Sequence, residues 1–127
     1  MSETTDPLSA EDVIYDWNRR GDVVSPPLRR VGFCDETLRD GLQCPSVTDP
    51  DIEDKKKILR LLDAVGVDTC DLGLPGAGPR AVEDVSVLTR VIRDEKLSIK
   101  AVAAARTHTN DIRPIIEISQ AVGMPIE

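Results

Sequence analysis

The run Asp35-Glu36-Thr37-Leu38-Arg39-Asp40-Gly41-Leu42-Gln43 puts carboxylates, a guanidinium and an amide in one short polar stretch, and Asp71, Arg106 and His108 follow it along the chain. Asp40 and Asp71 are hard oxygen donors suited to a divalent cation or a polarised oxyanion site. Arg39 can grip a carboxylate through two parallel N–H bonds, and His108 can donate a proton. Each also has a plainer reading. Arg39 and Asp40 can be solvated loop charges, Asp71 a buried turn or cap carboxylate beside Gly73 and Pro75, and His108 a surface residue or helix cap. Gly73 to Gly78 has neither a following Lys-Ser/Thr nor Rossmann spacing, so it is no phosphate cradle. Cys34, Cys44 and Cys70 are odd in number and lack CxxC spacing; they read as reduced thiols in or near the core, forming neither a disulfide framework nor a zinc knuckle.

These residues need elements to hold them. Arg30 to Asp35 reads as a short strand that runs into the polar loop. Asp49 as N-cap and Pro50 at the first helical position then open a helix with Ile52, Ile58, Leu59, Leu61, Leu62 and Val65 at helical spacing, closed by Gly66. Val67 to Leu72 reads as a second strand, Arg80 to Glu95 as a helix with Val82, Val85, Leu88 and Ile92 on one face, and Leu97 to Ala105 as a third strand. That third run is almost wholly small and apolar, as for a strand covered on both faces. Thr109 or Asn110 caps a last helix to about Val122, ended by Gly123, and another strand is due at Met124 to Glu127. Ahead of all this, Leu8, Ser9, Asp12 and Val13 form a capping pattern for a short helix from about Ala10 to Arg20. The order is βαβαβα with the start of a fourth strand, so the fold class is α/β with a parallel sheet. Either an open doubly wound sheet or part of an eight-stranded barrel satisfies the periodicity. In both, carboxyl ends of strands share one face, where Arg39, Asp71, Arg106 and His108 would converge.

Composition narrows the partners. Sixteen Lys and Arg against twenty-three Asp and Glu leave a net charge of −7, the wrong sign for broad binding to nucleic acid or an anionic membrane. No apolar run is long enough to span a bilayer and the acidic start is unlike a signal peptide, so the expected location is cytoplasmic. With one Tyr, one Trp and one Phe, the core must be aliphatic.

The segment from Asp35 to Gln43 resembles the Asp-x-Thr-Leu-Arg-Asp-Gly-x-Gln signature of the DRE-TIM metallolyases, the family of 2-isopropylmalate, homocitrate and citramalate synthases and hydroxymethylglutaryl-CoA lyases. Asp71-Leu72-Gly73-Leu74-Pro75 is similar to that family's second-strand Glu-x-Gly-Phe-Pro, and Arg106-Thr107-His108 to its third-strand Arg-x-His. The resemblance covers about Arg30 to Glu127. It implies the first half of a TIM (β/α)8 barrel, with residues 1–28 as an N-terminal arm and 29–127 as the N-terminal half of a catalytic domain. It further implies Asp40 as ligand of a divalent metal (Mg²⁺, Mn²⁺ or Zn²⁺), Arg39 as the group that stabilises an enolate or alkoxide, and Gln43, Asp71, Arg106 and His108 as substrate contacts, with His108 also aiding proton transfer.

The implied reaction is condensation of acetyl-CoA, as co-substrate, with a 2-oxo acid in amino-acid biosynthesis. Thr37-Leu38 before Arg39 favours the synthases over the lyase branch, which is the alternative, as is an inactive half-barrel serving as an assembly or regulatory subunit. Two features depart from the family. Asp71 stands where a glutamate is usual, and the remaining metal ligands, a His-x-His pair on a late strand, have no counterpart in a chain with one histidine. Since a complete barrel takes roughly 250 residues, the expectation is the N-terminal portion of a longer enzyme, a homodimer in its full-length form.

Overall fold

The computed structural model describes residues 30–127; the helix expected over 10–20 and the arm over 1–28 lie outside them. Strands β1 (Cys34–Asp35), β2 (Thr69–Asp71) and β3 (Lys100–Val102) alternate with helices α1 (Ile52–Ala64), α2 (Pro79–Glu95) and α3 (Thr109–Val122), and single 3-10 turns follow β1 and β2 at Gly41–Gln43 and Pro75–Ala77. All pairings are parallel, in the order β1-β2-β3, with Asp35 opposite Cys70 and Cys70 opposite Ala101. The hydrogen bonds from Glu127 N to Ala101 O (3.0 Å) and from Ala103 N to Glu127 O (3.1 Å) straddle Val102. That is the parallel pattern, so a fourth strand starts on the free edge of β3.

The order of the strands and the side on which the helices pack decide between the two architectures that periodicity leaves open. Cys70, Leu72, Ile99, Ala101 and Ala103 join Leu59, Val85, Leu88, Ile92, Ile118 and Val122 from the helices in one core. On the opposite face Lys100 is exposed, Thr69 and Val102 are half-buried, and Asp71 is buried. A doubly wound sheet carries helices on both faces and places β1 centrally. Here β1 is an edge, successive strands add in one direction, and the core lies on one face, which is the progression of a TIM barrel; the sheet is not closed. The third strand is therefore covered on one face where cover on both was expected, because all the core helices pack on the same side. The core has no aromatic residue among those described.

Local signals place the helix ends. Asp51, not Asp49, caps α1, its carboxylate accepting the Asp54 N–H at 2.9 Å. Proline at 50 keeps the preceding residue extended, and Asp49 is left to bind cations instead. Helix α1 ends with Val67 N donating to Leu62 O, α2 with Leu97 N donating to Ile92 O, and α3 with Met124 N donating to Ser119 O, three Schellman closures. Gly66 and Gly123 hold the left-handed position in two of them, but in α2 Lys96 does (φ 54°). Lys96→Gly is therefore expected to stabilise the chain by about 0.5 to 1 kcal/mol, the left-handed penalty less the entropy cost of glycine, read as a higher midpoint in urea unfolding. No helix among the described residues is long and apolar enough to cross a membrane.

Candidate functional site

The loop after β1 folds back because Asp35 accepts the Thr37 N–H (2.9 Å) and Thr37 hydroxyl (3.0 Å), an aspartate turn of the kind such side chains favour. Leu38 is thereby buried in the core, and Arg39 turns toward β2. Its Nε donates to Asp71 Oδ2 at 2.9 Å, Nη1 to Asp40 Oδ1 at 3.0 Å, and Nη2 to Glu36 Oε2. The hydrogen bond to Asp71 does most to hold the guanidinium's pKa above its ordinary value. Asp71 is 4% exposed and also accepts the Gly73 N–H at 3.2 Å. It is at once the buried turn carboxylate of the plainer reading and the anchor of Arg39.

Arg39 and Gln43 line a cavity of about 380 Å³ between the loop after β1, the loop after β2 and the start of α2. The other cations on its wall are Lys55 and Arg80. Lys55, 5% exposed, lies 2.7 Å from both Asp49 and Asp84, and Arg80 lies 2.6 Å from Asp49. Burial works against the lysine charge, but the two carboxylates more than offset it, and its pKa stands above the usual value.

Arg106 and His108 are not on this wall. Arg106 Nε and Nη2 donate to the two oxygens of Asp111 at 2.7 and 2.9 Å, so Arg106 is held beside the start of α3. His108, not Thr109 or Asn110, is the N-cap there, its Nδ1 accepting the Asn110 N–H at 3.2 Å. That bond places the proton of the neutral ring on Nε2. Asp111 sits directly under the second loop. A Cβ at Gly76 would lie 2.7 Å from its Cγ, so only glycine allows this approach. Sequence reading overlooked Glu36, Asp111 and the Lys55 pairs. Two of them carried a signal: Glu36 lies one helical turn before Arg39, and Asp111 has the three-residue spacing of a capping box from His108. The cysteine expectation needs correcting: Cys70 alone is buried, while Cys34 and Cys44 are exposed. They fall at the outer strand and in the polar loop, where no helix covers them. Burial pushes the Cys70 thiol up to about 12, too high for a nucleophile at neutral pH.

Among the described residues no three His, Cys, Asp or Glu come together as a cation site. Asp40 offers an exposed carboxylate with one oxygen on Arg39, a single hard donor that other ligands would have to complete.

The HMGL-like family model matches residues 30–123. The chain belongs to the HMGL-like family. This HMGL-like chain is 41% identical over 76 residues to a 2-isopropylmalate synthase of Methylorubrum populi, covering 60% of the chain and 14% of that protein. It is 40% identical over 88 residues to a probable 2-isopropylmalate synthase of Methanopyrus kandleri, covering 69% and 17%. A tryptophan synthase alpha chain of Rippkaea orientalis is 48% identical over 56 residues, 40% of the chain and 21% of that protein. The chain thus spans about a fifth or less of these relatives. Their names carry two different activities, so the matched βα units alone do not fix a function, which depends on the residues at the site of the HMGL-like chain.

Proposed function

We propose that this chain supplies the first part of the active site of an acyltransferase that condenses acetyl-CoA with a 2-oxo acid, as in 2-isopropylmalate synthases, with residues 29–127 as the N-terminal half of the barrel and 1–28 as an arm. The observation that carries the reading is Arg39, anchored through Nε on buried Asp71 and lining one cavity together with Gln43. In such a condensation the enolate carbon of acetyl-CoA attacks the 2-oxo carbon. The new carbon–carbon bond pushes the carbonyl electrons onto oxygen, the alkoxide takes up a proton, and water then hydrolyses the thioester to a carboxylate, releasing CoA as the thiol. Arg39 would face the growing alkoxide with a fixed positive charge, which costs no reorganisation at the moment of reaction. Gln43 would donate to the same oxygens, and Asp71 would fix the guanidinium's plane. Nη2 of Arg39 would take the substrate carboxylate beside that oxygen, and His108 through Nε2 would carry a proton while Arg106 stays paired with Asp111. A divalent metal taking Asp40 as one ligand would supply Lewis-acid polarisation of the 2-oxo group.

The test follows free thiol from acetyl-CoA on the protein carrying this chain, with Mg²⁺, Mn²⁺ or Zn²⁺ and 2-oxo acids of increasing side-chain length. Thiol release that requires a 2-oxo acid and varies with its side chain is the expected result. Release independent of the 2-oxo acid, or no release with any of them, overturns the reading.

A further inference from the structure

Arg39 carries donors on three nitrogens, and a different carboxylate occupies each: Asp71 on Nε, Asp40 on Nη1 and Glu36 on Nη2. One cation needs one anion for balance, so two of the three are in excess, and they differ in how firmly they are held. The Asp71 side chain is 6% exposed and pinned by the Gly73 N–H, whereas those of Asp40 and Glu36 are 66% and 50% exposed. Water competes for an exposed carboxylate, which therefore exchanges easily. Asp71 belongs to the framework. Glu36 is an exchangeable anion from the protein itself, seated on Nη2.

We propose that Glu36 is a built-in competitor for the substrate carboxylate: it occupies Nη2 of Arg39 when the site is empty, and an incoming carboxylate must exchange with it before it can be held. The inference deepens the 2-oxo acid reading and rests on it for the identity of that carboxylate. Exchange of one carboxylate for another at the same nitrogen returns almost nothing, so an acid that offers only a carboxylate binds weakly. An acid with a second acceptor, such as a 2-oxo oxygen within reach of Gln43, keeps the surplus. Glu36 thus sets a threshold that background acids in solution fail to pass, and it keeps the guanidinium plane ordered meanwhile.

The experiment compares the protein carrying this chain with its Glu36→Gln variant, which keeps the shape and removes the charge, using pyruvate and acetate as probes and the Arg39 Nε–H NMR signal as readout. The dissociation constants for both acids should fall by about tenfold, the worth of one charge-assisted hydrogen bond. Without any ligand, rotation about the guanidinium Cζ–Nη bonds of Arg39 should be faster in the variant. Glu53→Gln, on the exposed side of α1, controls for loss of one negative charge and should change neither. Unchanged or weaker binding in Glu36→Gln, unchanged rotation, or an equal response in Glu53→Gln overturns the proposal. Tighter binding of both acids in Glu36→Gln, with acetate held as well as pyruvate, supports the role of Glu36 while refuting the 2-oxo acid reading.

Discussion

Arg39→Ala should reduce kcat for the condensation by on the order of a hundredfold or more, as removal of one preorganised oxyanion donor does. Lys55 and Arg80 also line the cavity, but their ion pairs hold them on Asp49 and Asp84 and not on Asp71, the anchor of Arg39. They cannot replace a lost guanidinium. The same substitution leaves Asp71 buried without its cation, so thermal stability should fall as well. The two effects separate in a double variant. Arg39→Ala with Asp71→Asn removes both charges and should recover much of the melting temperature while turnover stays low. Arg39→Lys tests geometry against charge: one ammonium cannot hold Asp71 and present further donors to the cavity, so most of the loss should persist. Steady-state kinetics beside thermal unfolding reads all three, and an unimpaired kcat in Arg39→Ala would exclude the role given to this residue.

Asp111→Asn should lower the melting temperature at neutral pH by about 5 °C, the size expected when a buried carboxylate loses its pairing with a solvent-exposed arginine in a domain of this length. Asp111 is 1% exposed and accepts three hydrogen bonds from Arg106, one from the backbone at 3.2 Å and two from the guanidinium. That guanidinium, above all, holds the carboxyl at about 2, against an ordinary 3.8. A carboxyl with a depressed folded-state pKa stabilises fully above its unfolded value and stops doing so as pH falls through the folded value. The wild type and Asp111→Asn should therefore differ most above pH 4 and converge as pH drops toward 2. Melting curves at several pH values check this; a gap that persists at pH 2 would mean the loss comes from packing against Gly76 and not from the ion pair.

The order of elements was legible in the sequence because it depends on local rules. Proline and aspartate open α1, glycines close α1 and α3, and aliphatic spacing marks each buried face. The chemistry of the loop after β1 was legible for the same reason: its residues are contiguous, so one stretch of chain displays them together. Strand limits were less legible. β1 and β3 are shorter than the runs that mark them, because a run shows which residues can pair and the neighbouring strand decides which do.

Contacts between distant residues were not legible. Arg39 and Asp71 are separated by a whole βα unit, and only the register of β1 on β2 brings them to 2.9 Å. Lys55 reads as one more polar residue on α1 until α2 delivers Asp84 to it. Arg106, grouped by sequence with the substrate contacts, is claimed by Asp111, whose place depends on a glycine in another loop. The barrel progression had the same status. Alternation along a strand says that one face is buried, but only the side on which the connecting helices cross says whether successive strands wrap around a common axis or spread into an open sheet. The sequence by itself therefore determined which chemistry this chain can carry and the order of its elements, since both are local. The tertiary structure decided which charges meet, since an ion pair depends on distance in space and the chain is silent on distance beyond a helical turn.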